Sequence, residues 1–159
     1  MTERLRAYCA REPRHVLYDE EAGVLMDLAS GKMLTVAATD LEAVEERANA
    51  DTSLLGVRLK DGRAFALSEV GIAFAPVFTN TGTLEELPAA VCWADFRSYC
   101  SQLKLELYAT STGPGVGTVR VLMCCLAIID GARAVGFDVG GEERELEWHL
   151  KELERRAPS

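Results

Sequence analysis

The feature of this sequence that most constrains its fold is an alternating apolar pattern that occurs twice, with an offset of 31 residues. In each copy, apolar side chains alternate on either side of a short turn that ends in glycine, Gly31 in the first and Gly62 in the second. Alternation with a period of two across such a turn is typical of a β-hairpin. We therefore expect hairpins over residues 24–36 and 55–67.

The turn also predicts how the strands of each hairpin pair. A three-residue loop with glycine in the left-handed region places the large apolar side chains of both strands on one face. The expected pairs are Leu59 with Arg63, Val57 with Phe65 and Leu55 with Leu67 in the second hairpin, and Met26 with Leu34 and Val24 with Val36 in the first.

Shorter segments flank the two hairpins. Val16 and Tyr18 precede a turn, and residues 70–74 alternate before Pro76, so each segment predicts a further strand. Between the hairpins, Thr39 and Glu42 have capping-box spacing, and Leu41, Val44 and Ala48 follow at helical spacing. This pattern predicts a helix over about residues 40–49. An N-terminal helix over about residues 2–12 would bring together the side chains of Leu5, Tyr8 and Cys9.

The second half of the chain has the apolar spacing of helices. Residues 92–107 place their apolar side chains within one helical face, and residues 142–156 begin with acidic and end with basic side chains. Residues 118–135 allow two interpretations. Asp130-Gly131 suits a hairpin turn, whereas the length of the run and a C-cap at Gly136 favour a helix, which we predict.

These patterns predict an α+β fold. An antiparallel sheet built from two or three β-hairpins would occupy residues 15–75 of the N-terminal half, with one intervening helix. This sheet would pack against a helical C-terminal half over residues 84–156. A chain of 159 residues with 48% apolar side chains can bury one core, so we expect a single domain over residues 1–159.

The charge of the chain argues against several functions. With 17 basic and 25 acidic side chains, its formal net charge of −8 repels phosphate backbones, so we expect no nucleic-acid partner. There is no apolar stretch of the length that a membrane span needs and no visible signal peptide, so we expect no membrane association and a cytoplasmic location. Five cysteines without regular spacing are typical of reduced thiols.

The sequence contains few residues that suggest a metal or a nucleophile. There is no Cys-x-x-Cys motif, adjacent Cys124 and Cys125 would point to different sides of a helix, and both histidines, His15 and His149, are isolated. We therefore interpret the cysteines as core residues and expect no metal, no cofactor and no catalytic residue. A thiol-dependent enzyme is an alternative, which one unusually reactive cysteine would support.

A glycine-rich segment offers another alternative. Residues 113–117 could present backbone N–H groups to an anion at the start of the following helix. The spacing differs from that of a phosphate-binding loop, and a linker between helices explains it as well. A small-molecule or nucleotide sensor that uses this loop remains open.

Two surfaces are candidates for binding another protein. Trp148 falls among charged residues, opposite the leucines of the last helix, and a large aromatic there suits a contact with a partner. The outward face of the sheet is the second candidate, since its expected side chains are small and mixed in character. That face would carry Leu25, Asp27, Met33, Thr35, Arg58, Ala64 and Ala66.

The function that we predict from the sequence is a non-enzymatic, protein-binding one. An acidic chain steers toward basic partners, so an adaptor, a regulator or an immunity-type protein that neutralises a basic protein would fit. A homodimer through the C-terminal helix is an alternative partnership. The residues predicted to bind the partner are Trp148, Glu145, Glu152, Met33 and Arg58.

Overall fold

The computed structural model describes residues 1–11, 15–48, 53–74, 92–109 and 116–156. Strands β1 (Val16–Asp19), β2 (Val24–Asp27) and β3 (Lys32–Thr35) form one antiparallel sheet. A second antiparallel sheet contains β4 (Leu41–Ala48), β5 (Ser53–Leu59), β6 (Ala64–Ser68) and β7 (Gly71–Ala73) in that order. The helices are α1 (Thr2–Arg11), α2 (Trp93–Ala109), α3 (Val116–Val135) and α4 (Gly140–Arg156).

This architecture confirms the predicted α+β fold, with the sheets in the N-terminal half and α2 to α4 in the C-terminal half. The strands are divided between two sheets rather than joined in one. A single cluster of buried side chains includes residues from α1, both sheets and the three later helices. The predicted N-terminal helix and the helix after residue 92 are both present, whereas Pro13 and residues 84–91 lie outside the described residues.

The helix predicted over residues 40–49 is wrong. A short 3₁₀ turn at Ala38–Asp40 leads directly into β4, which pairs with β5 along its whole length. The pairing shifts between Leu41 and Ala43, where a β-bulge inserts one extra residue. Because of the bulge, Leu41 and Val44 are both buried although they are three residues apart. The spacing that suggests a helix is therefore produced by a bulged strand.

The predicted register is confirmed for the second hairpin and wrong for the first. Leu55 pairs with Leu67 and Val57 with Phe65, as expected. The first hairpin is displaced by one position, and a displacement of one residue turns every side chain to the opposite face. Its observed pairs are Val24 with Thr35, Leu25 with Leu34, Met26 with Met33 and Asp27 with Lys32.

The displaced register also corrects the predicted outward face of the sheet. Leu25 and Asp27 are fully buried, and so are Ala64 and Ala66 on β6, the strand of the second sheet whose side chains are buried on both faces. Met33 and Thr35 are exposed as expected, and Arg58 is half-buried. The continuous outward surface predicted from the sequence therefore does not exist.

A buried carboxylate accounts for the register of the first hairpin and connects the two sheets. Asp27 Oδ1 accepts hydrogen bonds from the N–H groups of Ala29 and Ser30, which stabilises a four-residue loop instead of a three-residue one. Asp27 Oδ2 accepts a hydrogen bond of 3.1 Å from the N–H of Ile72 in β7. Burial raises the pKa of this carboxyl group although the three N–H groups act in the opposite direction.

The approach of Asp27 to the second sheet requires glycine at position 71. Gly71 has a φ of +121°, and a Cβ atom there would lie 3.0 Å from Asp27 Oδ2. Any other side chain would therefore combine a strained backbone with a close contact to the carboxylate. The absence of a side chain at Gly71 therefore lets the Asp27 carboxylate reach the second sheet.

The interpretation of residues 118–135 as a helix is confirmed. Gly136 adopts a φ of +107°, and the N–H of Phe137 donates to the carbonyl of Ala132, which is the expected C-terminal capping arrangement. Arg63 from the second hairpin donates to the carbonyl of Val135 at 2.9 Å. The end of α3 is therefore fixed by its own cap and by the side chain of Arg63 from the second hairpin.

A lysine from the first hairpin connects the sheets to the helices. Lys32 Nζ lies 4.9 Å from the centre of the Trp93 ring and 2.8 Å from Glu142 Oε2, and it also donates to the carbonyl of Asp138. Both charged side chains are mostly buried, at 22% and 16% exposure, so the ion pair is screened less than a surface pair. This contact sets where α2 and α4 lie relative to β3.

None of the described helices is both long and apolar enough to cross a membrane.

The role of Asp27 leads to a stability prediction. We expect Asp27→Ala to lower the free energy of unfolding by about 2–4 kcal/mol, because it leaves three N–H groups without their acceptor. Asp19→Ala is the control, since the exposed Asp19 carboxylate also accepts a turn N–H, that of Ala22. Denaturant unfolding should show a loss below about 1 kcal/mol for the control. Equal losses for the two variants would contradict the bridging role.

Candidate functional site

Two helices bring a thiol, a carboxylate and an imidazole together. Cys100 comes from the middle of α2, and Glu145 and His149 come from successive turns of α4. One ligand atom from each residue lies within 4.8 Å of those of the other two. We call these three residues the thiol–imidazole cluster. Residues four apart on a helix share a face, which explains why α4 contributes two of them.

His149 is the most unusual member of the cluster. Its side chain is 1% exposed, and neither ring nitrogen has a hydrogen-bond partner among the described residues. Glu145 Oε1 lies 4.0 Å from Nε2, which is beyond hydrogen-bonding distance. Burial lowers the pKa of the imidazole, an effect that Glu145 opposes and Lys104 reinforces. The ring is therefore held neutral, with both nitrogens unsatisfied.

A fourth side chain extends the cluster into α3. Cys100 and Cys125 are both buried, and their thiols interact. The interaction raises the pKa of Cys100 and lowers that of Cys125.

The chemistry of the cluster is that of a soft-metal ligand set rather than that of a nucleophile. Thiolate sulfur and imidazole nitrogen are the donors that zinc-type ions prefer, and a carboxylate often completes such a set. A nucleophilic cysteine needs access to a substrate, whereas Cys100 and Cys125 are 5% and 0% exposed. Glu145 is half-exposed and provides a route from solvent to the cluster.

Two of the other cysteines match their interpretation as core residues. Cys9 and Cys92 are buried, and burial raises the pKa of both thiols, that of Cys9 to about 11. Cys124 is only half-buried, so the core interpretation is wrong for this residue. All five cysteines are free thiols.

A second feature is an apolar stripe on the outer face of α3. Val119, Met123 and Leu126 are 49%, 64% and 42% exposed, at the spacing that aligns side chains along one side of a helix. We call these three residues the α3 stripe. Beside it lies a shallow depression of about 430 Å³, lined by Val119, Arg120, Met123, Cys124 and Ala127. The described part of the fold leaves this face uncovered.

The structure places the five predicted partner-binding residues on separate elements. Trp148 is 49% exposed on α4, and Glu145 and Glu152 lie on the same helix, Glu152 in an ion pair with Arg155. Met33 lies on β3 and Arg58 on β5, in different sheets. Binding by any of these residues, and a homodimer through α4, stay predictions.

The glycine-rich alternative falls mostly outside the described residues. Residues 113–115 belong to that part of the chain, and α3 begins at Val116, so Gly117 lies in its first turn. A ligand loop over residues 113–117 therefore stays a prediction.

Sequence reasoning missed both the cluster and the stripe. Neither histidine belongs to a histidine pair, and no Cys-x-x-Cys motif is present, but Glu145 and His149 have the helical i, i+4 spacing of a ligand pair. Cys100 lies on an apolar stripe of α2 and resembles a core residue until α4 is placed beside it. The apolar run of α3 is so continuous that its outward side cannot be distinguished without its neighbours.

The comparisons with known proteins identify no relative, since no protein-family model, curated protein or solved structure matches this chain.

The exposure of the thiols leads to a labelling prediction. With iodoacetamide at neutral pH, we expect Cys124 to react at least tenfold faster than the four buried cysteines, because their sulfur atoms are shielded and the pKa of three of them is raised. Peptide mapping by mass spectrometry over time measures each rate. Cys124→Ser should remove the fast phase. A fast reaction at Cys100 or Cys125 would instead support the thiol-dependent enzyme.

Proposed function

We propose that this chain is a non-enzymatic protein-binding module that receives an amphipathic helix of a basic protein on the α3 stripe. The observation that carries the proposal is the alignment of three exposed apolar side chains, Val119, Met123 and Leu126, beside a shallow depression. Contiguous exposed apolar surface on a folded protein is typical of an interaction site. An immunity-type protein that neutralises a basic partner would be one example of such a module.

The shape and chemistry of the stripe favour a helical partner. A partner helix presents apolar residues at a spacing of three or four, which matches Val119, Met123 and Leu126 along α3. Met123, with 64% exposure, is the most prominent of the three. Methionine is flexible and polarisable, and it recurs on surfaces that adapt to partner helices.

The charge of the chain favours a basic partner. The formal net charge of −8 attracts cationic proteins over distances longer than the contact itself, and this attraction raises the association rate. Arg120 at the edge of the depression would locally repel a cationic partner, so the attraction would have to come from the acidic charge of the molecule as a whole. The stripe would supply the affinity, and the overall charge would select the partner.

A synthetic amphipathic helix of leucine and lysine tests this proposal directly by titration calorimetry. We expect Met123→Glu to weaken binding of the peptide at least tenfold, because a charge replaces the centre of the apolar contact. Attraction by charge alone predicts the opposite, since the variant is more acidic and the peptide is cationic. The direction of the effect therefore separates apolar docking from unspecific electrostatic binding.

Leu105→Glu provides the matched control. Leu105 is 69% exposed on α2, outside the α3 stripe, so the substitution changes net charge and exposed apolar surface by similar amounts. This variant should bind the peptide as tightly as the parent protein. A peptide of leucine and glutamate should bind neither protein. Absence of binding to the parent, or equal weakening by both substitutions, would contradict the proposed function.

A further inference from the structure

We propose that Cys100, Glu145 and His149 bind one zinc-type divalent metal ion, with Cys125 supporting the sulfur ligand from α3. This site is separate from the α3 stripe and does not depend on the proposed function. The ligand set would join α2 to α4 and, through the interaction of Cys100 with Cys125, to α3.

The geometry of the cluster lies close to that of a bound ion. Its three ligand atoms lie within 4.8 Å of one another, whereas tetrahedral coordination at zinc distances of about 2.0–2.3 Å needs about 3.3–3.6 Å between ligand atoms. The remaining contraction is about 1 Å. Glu145 can supply much of it, because its half-exposed side chain has room to change rotamer.

The unsatisfied imidazole nitrogens of His149 are the independent observation that points to a ligand. A buried polar atom without a partner costs free energy, and among the described residues the imidazole of His149 has two such atoms. Coordination of a metal by one ring nitrogen would satisfy one of these two buried atoms.

The charges of the cluster suit a divalent cation. When the ion binds Cys100 Sγ, the S–H bond breaks and its proton passes to solvent, leaving a thiolate. This thiolate and the carboxylate of Glu145 together balance two positive charges. Lys104 also acts electrostatically on His149 and Cys100, and its charge opposes binding. We therefore expect moderate affinity rather than that of a four-cysteine site.

Three protein ligands leave one coordination position for water, and Glu145 gives that position access to solvent. Cys125 would then act as an outer partner that orients Cys100 Sγ. Loss of such partners weakens metal affinity by about 10–100-fold without removing the site.

Cobalt titration of the metal-free, untagged protein tests the assignment, because Co²⁺ reports thiolate coordination through an intense near-ultraviolet charge-transfer band. We expect one equivalent of Co²⁺ to produce this band together with the visible bands of tetrahedral cobalt. Zn²⁺ should displace the bound Co²⁺ and remove all of these bands. Cys100→Ser should abolish the charge-transfer band. His149→Gln and Glu145→Gln should weaken binding at least tenfold, and Cys125→Ser should weaken it about 10–100-fold.

The matched controls lie beside each ligand. Cys124→Ser and Glu147→Gln change neighbouring residues outside the cluster, the latter an exposed carboxylate paired with Lys151, and both variants should bind cobalt as the parent does. Zn²⁺ should also slow alkylation of Cys100 but not that of Cys124. His149→Gln breaks no hydrogen bond of the described structure, so the variant should fold normally, which circular dichroism checks.

Three results would overturn the proposal. The first is that the parent protein gives no thiolate-to-cobalt band. The second is a band that keeps its affinity and intensity in folded His149→Gln. The third is a band that is lost in Cys124→Ser, which would assign the metal to the half-buried thiol of Cys124 instead.

Discussion

The buried carboxylate of Asp27 is the interaction on which the arrangement of the sheets depends. It accepts two N–H groups from its own turn and one from Ile72, so it sets the register of the first hairpin and joins that hairpin to β7. Its neighbour across the strand pair, Lys32, then lies against Trp93 and Glu142 at the beginning of α2 and α4. The paired residues Asp27 and Lys32 thus orient the two sheets and the helices α2 and α4.

Much of the fold could be predicted because it is local. The alternation of residues 55–67 and the C-cap at Gly136 each depend on neighbours in the chain, and both predictions are confirmed. The errors arise where distant or buried polar contacts decide. An aspartate in a strand is expected on the solvent side of the sheet. The predicted register of the first hairpin therefore differs from the observed one by one residue. The bulge after Leu41 gave a strand the apolar spacing of a helix.

The candidate sites were less predictable because each depends on which helix faces are covered. The thiol–imidazole cluster needs α2 and α4 side by side before Cys100 approaches His149. The α3 stripe looks like core in the sequence, and only the packed structure shows that Met123 is exposed while Cys125 is buried. Trp148 was correctly expected to be exposed, since α4 has charged residues on that side. Its exposure does not identify what it contacts.

We propose that the α3 stripe, rather than the sheet surface, receives the partner. Methionine-methyl NMR separates the two, because Met123 lies on the stripe and Met33 is exposed on β3, at 64% and 60%. On titration with the leucine–lysine helix, our account predicts that the Met123 methyl resonance shifts or broadens while that of Met33 stays in place. A shift of Met33 with Met123 unchanged would contradict it.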